Sequence, residues 1–130
     1  MTKKPLILIT NDDSISAPGI KVLTEIANDF GEVWVVAPDG PMSGKGHAIS
    51  LDVSLRVSEV KSEGPQKEFK VSGTPADCVK LAINKVMPRR PDLILSGINH
   101  GSNASVNVIY SGTMSAAVEG ALERIPAIGF

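Results

Sequence analysis

The chain opens its ordered pattern on Leu6 to Thr10, an unbroken run of apolar and β-branched residues. Such a run, with no polar alternation, reads as a strand covered on both faces. Polar residues follow at once (Asn11-Asp12-Asp13-Ser14, then Ser16), and Pro18 precedes a stretch with helical spacing. There Ile20, Leu23, Ile26, Ala27 and Phe30 recur near a period of 3.6, and Gly31 supplies the stop. Ser14, Ser16 and Pro18 are available as the helix cap. Val33 to Ala37 is a second buried strand, broken by Pro38. A strand–helix–strand start of this kind predicts parallel pairing with a right-handed crossover.

Pro38 to Gly46 is rich in Gly and Pro and reads as a loop. Beyond it Ile49, Leu51, Val53, Leu55 and Val57 alternate with polar residues, the period-2 pattern of a half-exposed strand. A polar turn, Lys61 to Lys67, leads to Phe69 and Val71 as a hairpin partner. Thr74-Pro75-Ala76-Asp77 carries the signature of a helix start, with Thr as N-cap, Pro at the first position and an acid at the third. Val79, Ala82, Ile83 and Val86 continue that helix to Pro88. Pro91 to Ser96 contains a third buried strand, Leu93-Ile94-Leu95. A glycine-broken loop from Gly97 to Asn107 follows it. Ser111-Gly112-Thr113 opens another helix, whose Ala116, Ala117, Gly120, Ala121 and Leu122 form a small-residue face. Ile125 to Phe130 reads as a fourth buried strand. The expected architecture is α/β, a mostly parallel sheet between helices with a β-hairpin excursion.

Composition narrows the function. The 130 residues are 42% hydrophobic and 21% charged, with 13 basic residues against 14 acidic and a net charge of −1. That balance gives no electrostatic footprint for a nucleic acid polymer or an acidic membrane. One cysteine cannot build a disulfide framework or a zinc cage. No apolar run approaches the roughly 20 residues of a membrane span, and the apolar stretch near Met1 is too short for a signal sequence. The expectation is a cytoplasmic protein of one domain.

In an open α/β sheet, ligands bind beyond the carboxyl ends of the strands. Asn11-Asp12-Asp13, Ser43, Asn99 with Asn103, and Ser111-Gly112-Thr113 all fall at such ends. Asp12 and Asp13 are adjacent carboxylates, which either support the following helix dipole or hold a hard divalent cation. Ser43 is a turn serine or a further oxygen ligand. Gly44-Lys45-Gly46 lacks the rest of a dinucleotide fingerprint, since Ile49 takes the third glycine position and no helix follows. His47 is a structural residue or a proton donor of near-neutral pKa. Ser96 to Asn103 gathers amides and glycines suited to an anion or a metal, and Ser111-Gly112-Thr113 offers hydroxyls and N–H groups at a helix start. Two acids, a hydroxyl and an amide opposite an anion cradle suggest metal-assisted phosphoryl hydrolysis. A receiver-like signalling module is the competing reading, but Leu93 to Leu95 ends without the phosphoacceptor Asp it needs, and no lysine follows Lys85.

Six motifs occur in an order that resembles the survival protein SurE family: Leu8-Ile9-Thr10-Asn11-Asp12-Asp13, Val35-Val36-Ala37-Pro38-Asp39, Ser43 with Gly46-His47, Gly73 to Val79, Ser96 to Asn103, and Tyr110-Ser111-Gly112-Thr113. The resemblance implies a Rossmann-like three-layer α/β sandwich. Residues 1–130 would be the N-terminal catalytic part, with the C-terminal part of the fold missing. It implies a phosphatase acting on nucleoside 5′- and 3′-monophosphates, in some cases also on polyphosphate, with water activated on one Mg²⁺ or Mn²⁺ per subunit. Asp12, Asp13, Ser43 and Asn99 would hold the metal, the two aspartates doing the chemistry. Asn11, Gly44, Asn103, Ser111, Gly112 and Thr113 would line the phosphate pocket, with His47 beside them. A homo-oligomer, dimer or tetramer, is implied for the full-length form. Ser14 departs from the glycine that many members carry after the acid pair.

Overall fold

A computed structural model of the protein describes residues 4–40, 55–98, 119–120 and 123–130. Among them six strands form one sheet: β1 (Leu6–Thr10), β2 (Glu32–Pro38), β3 (Val57–Val60), β4 (Lys67–Val71), β5 (Leu93–Ser96) and β6 (Ala127–Gly129). The order across the sheet is β3-β4-β2-β1-β5-β6. Every neighbouring pair is parallel except β3 with β4, the expected hairpin excursion. The alternating stretch from Ile49 to Val53 lies outside the described residues.

All five side chains of β1 are buried, as an unalternating strand requires. They divide by parity between two cores. Ile7 and Ile9 pack with Val33, Val35, Ala37 and Leu95 beneath α1 (Pro18–Asn28), which contributes Ile20, Leu23 and Ala27. Leu6 and Leu8 pack on the opposite face with Val36, Val71 and Ile94 against α2 (Pro75–Leu81), which contributes Cys78 and Val79. Helix, sheet and helix make the three layers. Trp34 and Phe69 stack on the α2 face with ring centroids 5.7 Å apart.

The α2 start follows the sequence closely. Thr74 Oγ1 accepts from Asp77 N–H at 3.1 Å, and Asp77 Oδ2 accepts from Thr74 N–H at 2.9 Å, so both halves of the capping box are made. The last turn before Pro88 widens into a π-helical turn, Ala82–Val86.

Three expectations change. The α1 periodicity overreaches: Ile26 and Phe30 are 51% and 69% exposed, and Phe30 lies beyond the helix end. The buried stripe is Ile20, Leu23, Thr24 and Ala27, with Thr24 made compatible by donating its hydroxyl to Ile20 C=O at 2.7 Å. Ser14 and Ser16 do not cap α1; its N-cap is Ala17, with no side-chain bond. The last strand is shorter than Ile125 to Phe130 and sits at the sheet edge, paired only with β5 among the described residues, so Ile128 and Phe130 remain half exposed.

Candidate metal and phosphate site

β1 lies between β2 and β5. The loop after β1 climbs to α1 on one face. Glu119–Gly120, ahead of β6, packs on the other face, where a Cβ on Gly120 would meet Ile94 Cδ1 at 2.8 Å. In an open α/β sheet with helices so placed, ligands are expected beyond the carboxyl ends of the two strands. The strands finish in register, Thr10 beside Ser96, and Gly97 N–H donates to Thr10 C=O at 2.9 Å.

Asn11, Asp12 and Asp13 follow directly on the carboxyl end of β1. Asn11 is 0% exposed and Asp12 4%, while Asp13 is half-buried. The Asn11 carboxamide folds back on its own loop: Nδ2 donates to Ser14 C=O at 2.8 Å and Oδ1 accepts from Ser14 N–H at 3.3 Å. Between these bonds Ser14 takes φ 120°, a conformation natural to glycine and strained for serine. Ser14 Oγ lies 3.1 Å from Ser16 Oγ. Ile15 N–H donates to Pro38 C=O at 2.9 Å, which ties the acid turn to the end of β2.

Just past the end of β5, Gly97 has φ 137°, so only glycine turns the chain there without strain. Ile98 then meets the start of α1 so closely that a Cβ on Gly19 would lie 2.4 Å from its carbonyl oxygen. Gly19 thereby sets the distance between the loop bearing the acid pair and the segment leading to Asn99. Sequence reasoning passed over Gly19, although a glycine in a first helical turn, where it lowers helix propensity, is a signal of close approach.

On the α2 face of the same strand ends the Ser96 hydroxyl is buried and, among the described residues, without a hydrogen-bond partner. The Cys78 thiol is also fully buried there; burial pushes its pKa far up, and the nearby Thr10 hydroxyl only partly opposes that. Such a thiol is inert packing, as expected of a small buried hydrophobe.

The structure thus brings Asn11, Asp12 and Asp13 to the carboxyl end of β1, beside β5, after which the described residues stop one short of Asn99. Ser43, Gly44, His47, Asn99, Asn103, Ser111, Gly112 and Thr113 lie outside the described residues. Among the described residues, no three His, Cys, Asp or Glu side chains gather as a metal cluster. Among the described residues, the candidate donors at this strand end are the two adjacent carboxylates of Asp12 and Asp13. Paired carboxylates are hard oxygen donors of the kind that Mg²⁺ and Mn²⁺ take. A separate groove of about 550 Å³ runs between α1 and the β3–β4 turn, past Lys21, Glu25, Lys61 and Glu68. It does not include the acid pair. Among the described residues no helix is long and apolar enough to cross a membrane.

Comparison with known proteins bears on the whole chain. The family model of survival protein SurE matches residues 7–130. A protein of Christiangramia forsetii named 5′-nucleotidase SurE is 61% identical over 130 residues, 98% of this chain and 50% of that protein. Its namesake in Flavobacterium psychrophilum is 58% identical over 128 residues, again 98% of this chain and 50% of the relative. The crystal structure of the SurE protein from Aquifex aeolicus aligns with a TM-score of 0.84 at 42% identity, over 97% of this chain and 50% of that one. The chain spans about half the length of the curated relatives it matches. A three-layer fold with the acid pair at the carboxyl end of β1, and a family match that begins within β1 and runs to Phe130, lead to one assignment: the chain belongs to the survival protein SurE family.

Proposed function

We propose that this chain carries the metal- and phosphate-binding half of a divalent-metal-dependent phosphomonoesterase acting on nucleoside 5′- and 3′-monophosphates, and on short polyphosphate. The observation that carries the reading is the seating of Asp12 and Asp13 at the carboxyl end of β1, beside the end of β5. Support comes also from relatives named 5′-nucleotidase that match nearly the whole chain. Asp12 and Asp13 would hold one Mg²⁺ or Mn²⁺ together with Ser43 and Asn99. When bound, the ion supplies charge neutralisation at the phosphoryl oxygens and lowers the pKa of an attacking water. Asp12 is almost wholly buried and Asp13 half-buried at this strand end.

The rest of the pocket falls to Gly44, His47, Asn103, Ser111, Gly112 and Thr113, with hydroxyls and N–H groups at a helix start as the anion cradle. The reading extends to a cytoplasmic homo-oligomer. Phosphate release from AMP in the presence of Mn²⁺, repeated with Asp12→Asn, tests it. Release that ends with the substitution and with EDTA is expected; release indifferent to both refutes it.

A further inference from the structure

We propose that Asn11 is a positioning residue for the acid pair and contacts no substrate, its carboxamide being the clasp that holds the Asp12-Asp13 turn closed. This rests on the metal reading above. The side chain is 0% exposed, so no part of it is open to a ligand. Both polar ends are spent on one residue, Ser14: Nδ2 on its carbonyl at 2.8 Å and Oδ1 on its N–H at 3.3 Å. The two aspartates are the only residues between the clasp's ends, so closing it fixes where both carboxylates leave the backbone. Asn is suited to this because its short amide offers a donor and an acceptor to nearby backbone at once. The closed turn requires Ser14 at φ 120°, which serine resists and glycine does not. Asn11 and Ser14 are therefore coupled: the clasp holds a conformation that the residue at 14 opposes.

The coupling gives the test. Mn²⁺ affinity by calorimetry, and urea unfolding without metal, are measured on the wild-type protein, Asn11→Ala, Ser14→Gly and the double variant. Removing groups that orient metal ligands weakens binding by about 10–100-fold, and Asn11→Ala is expected to lose at least the lower figure. Ser14→Gly alone is expected to stay within about twofold, since it leaves the carboxylates and the clasp in place. The double variant is expected to recover most of the loss, because glycine takes up the turn unaided. Should Asn11→Ala fail to fold, Asn11→Ser retains one polar contact and should show the same rescue on a smaller loss. Wild-type affinity in Asn11→Ala, or a double variant as weak as the single, overturns the proposal. Asn11 variants that keep Mn²⁺ affinity but lose nucleotide affinity also overturn it, and return Asn11 to the phosphate pocket. A wild-type protein that binds no Mn²⁺ refutes the metal reading instead. The clasp is then judged on the urea midpoints, where additive effects of the two substitutions overturn it.

Discussion

Gly19→Ala sets two magnitudes against each other. Alanine is favoured over glycine by about 1 kcal/mol in a helix interior, and Gly19 is the second residue of α1. Against this, the new Cβ would sit 2.4 Å from the Ile98 carbonyl oxygen and 3.3 Å from its carbon. Optimal heavy-atom separations begin near 3.5 Å, so the overlap is about 1 Å. It is with backbone, which cannot rotate away as a side chain would. Overpacking of this kind destabilises by about 1–3 kcal/mol, which outweighs a propensity gain reduced by the frayed first turn. The net expectation is a loss of about 1–2 kcal/mol, or roughly 4–7 °C in Tm for a chain of this size. Because Ile98 precedes Asn99, the same displacement should weaken Mn²⁺ binding severalfold. Differential scanning calorimetry and Mn²⁺ titration read the two effects. A variant as stable as the wild type, or more so, would refute the close approach of α1 to the β5 loop and the role given to Gly19.

Other substitutions probe separate parts of the account. Thr74→Ala removes half of the capping box and should lower stability by about 1 kcal/mol in urea; an unchanged midpoint would show that the box contributes nothing. The Cys78 thiol, buried and with its pKa far up, should resist iodoacetamide in the native state and react in urea; rapid native labelling would contradict its burial. Asp92 accepts from Leu6 N–H at 2.8 Å and from Arg89 at 3.1 Å, and these donors hold its carboxyl below the usual range. A lowered folded pKa means that its contribution is present at neutral pH and is lost as pH falls through that value, below about pH 4. The stability gap between wild type and Asp92→Asn should therefore narrow in acid. A gap constant from pH 7 to pH 2 would refute the assignment.

Much of this fold was legible because burial writes directly into sequence. A strand covered on both faces has to be apolar throughout, and β1 and β2 are. The α2 start is local chemistry, a Thr and an Asp three residues apart, so it could be read without tertiary knowledge. The α1 stripe was only half legible, because Ile26 and Phe30 fit the period while lying on a flank that the described residues leave uncovered. At the candidate site the sequence offered Asp12 and Asp13 by type and by their place at a strand end. It did not disclose that Asn11 turns back on Ser14, since an Asn beside two acids fits a ligand contact equally well. Nor did it disclose that Gly19 abuts Ile98, a contact between segments nearly eighty residues apart. Ser14 carried the one usable hint: a serine where the family resemblance places glycine lies at φ 120°, a conformation that glycine tolerates.

Phosphate release through the acid pair at the end of β1 is the proposed activity. The measurement that meets it most directly is inorganic phosphate released from AMP with saturating Mn²⁺, by wild-type protein and by Asp12→Asn, each checked for folding. A cation at a phosphoryl centre is worth several kcal/mol, so the account predicts a fall of about 10³-fold or more with the substitution. Phosphate released at the wild-type rate by a folded Asp12→Asn protein would contradict it.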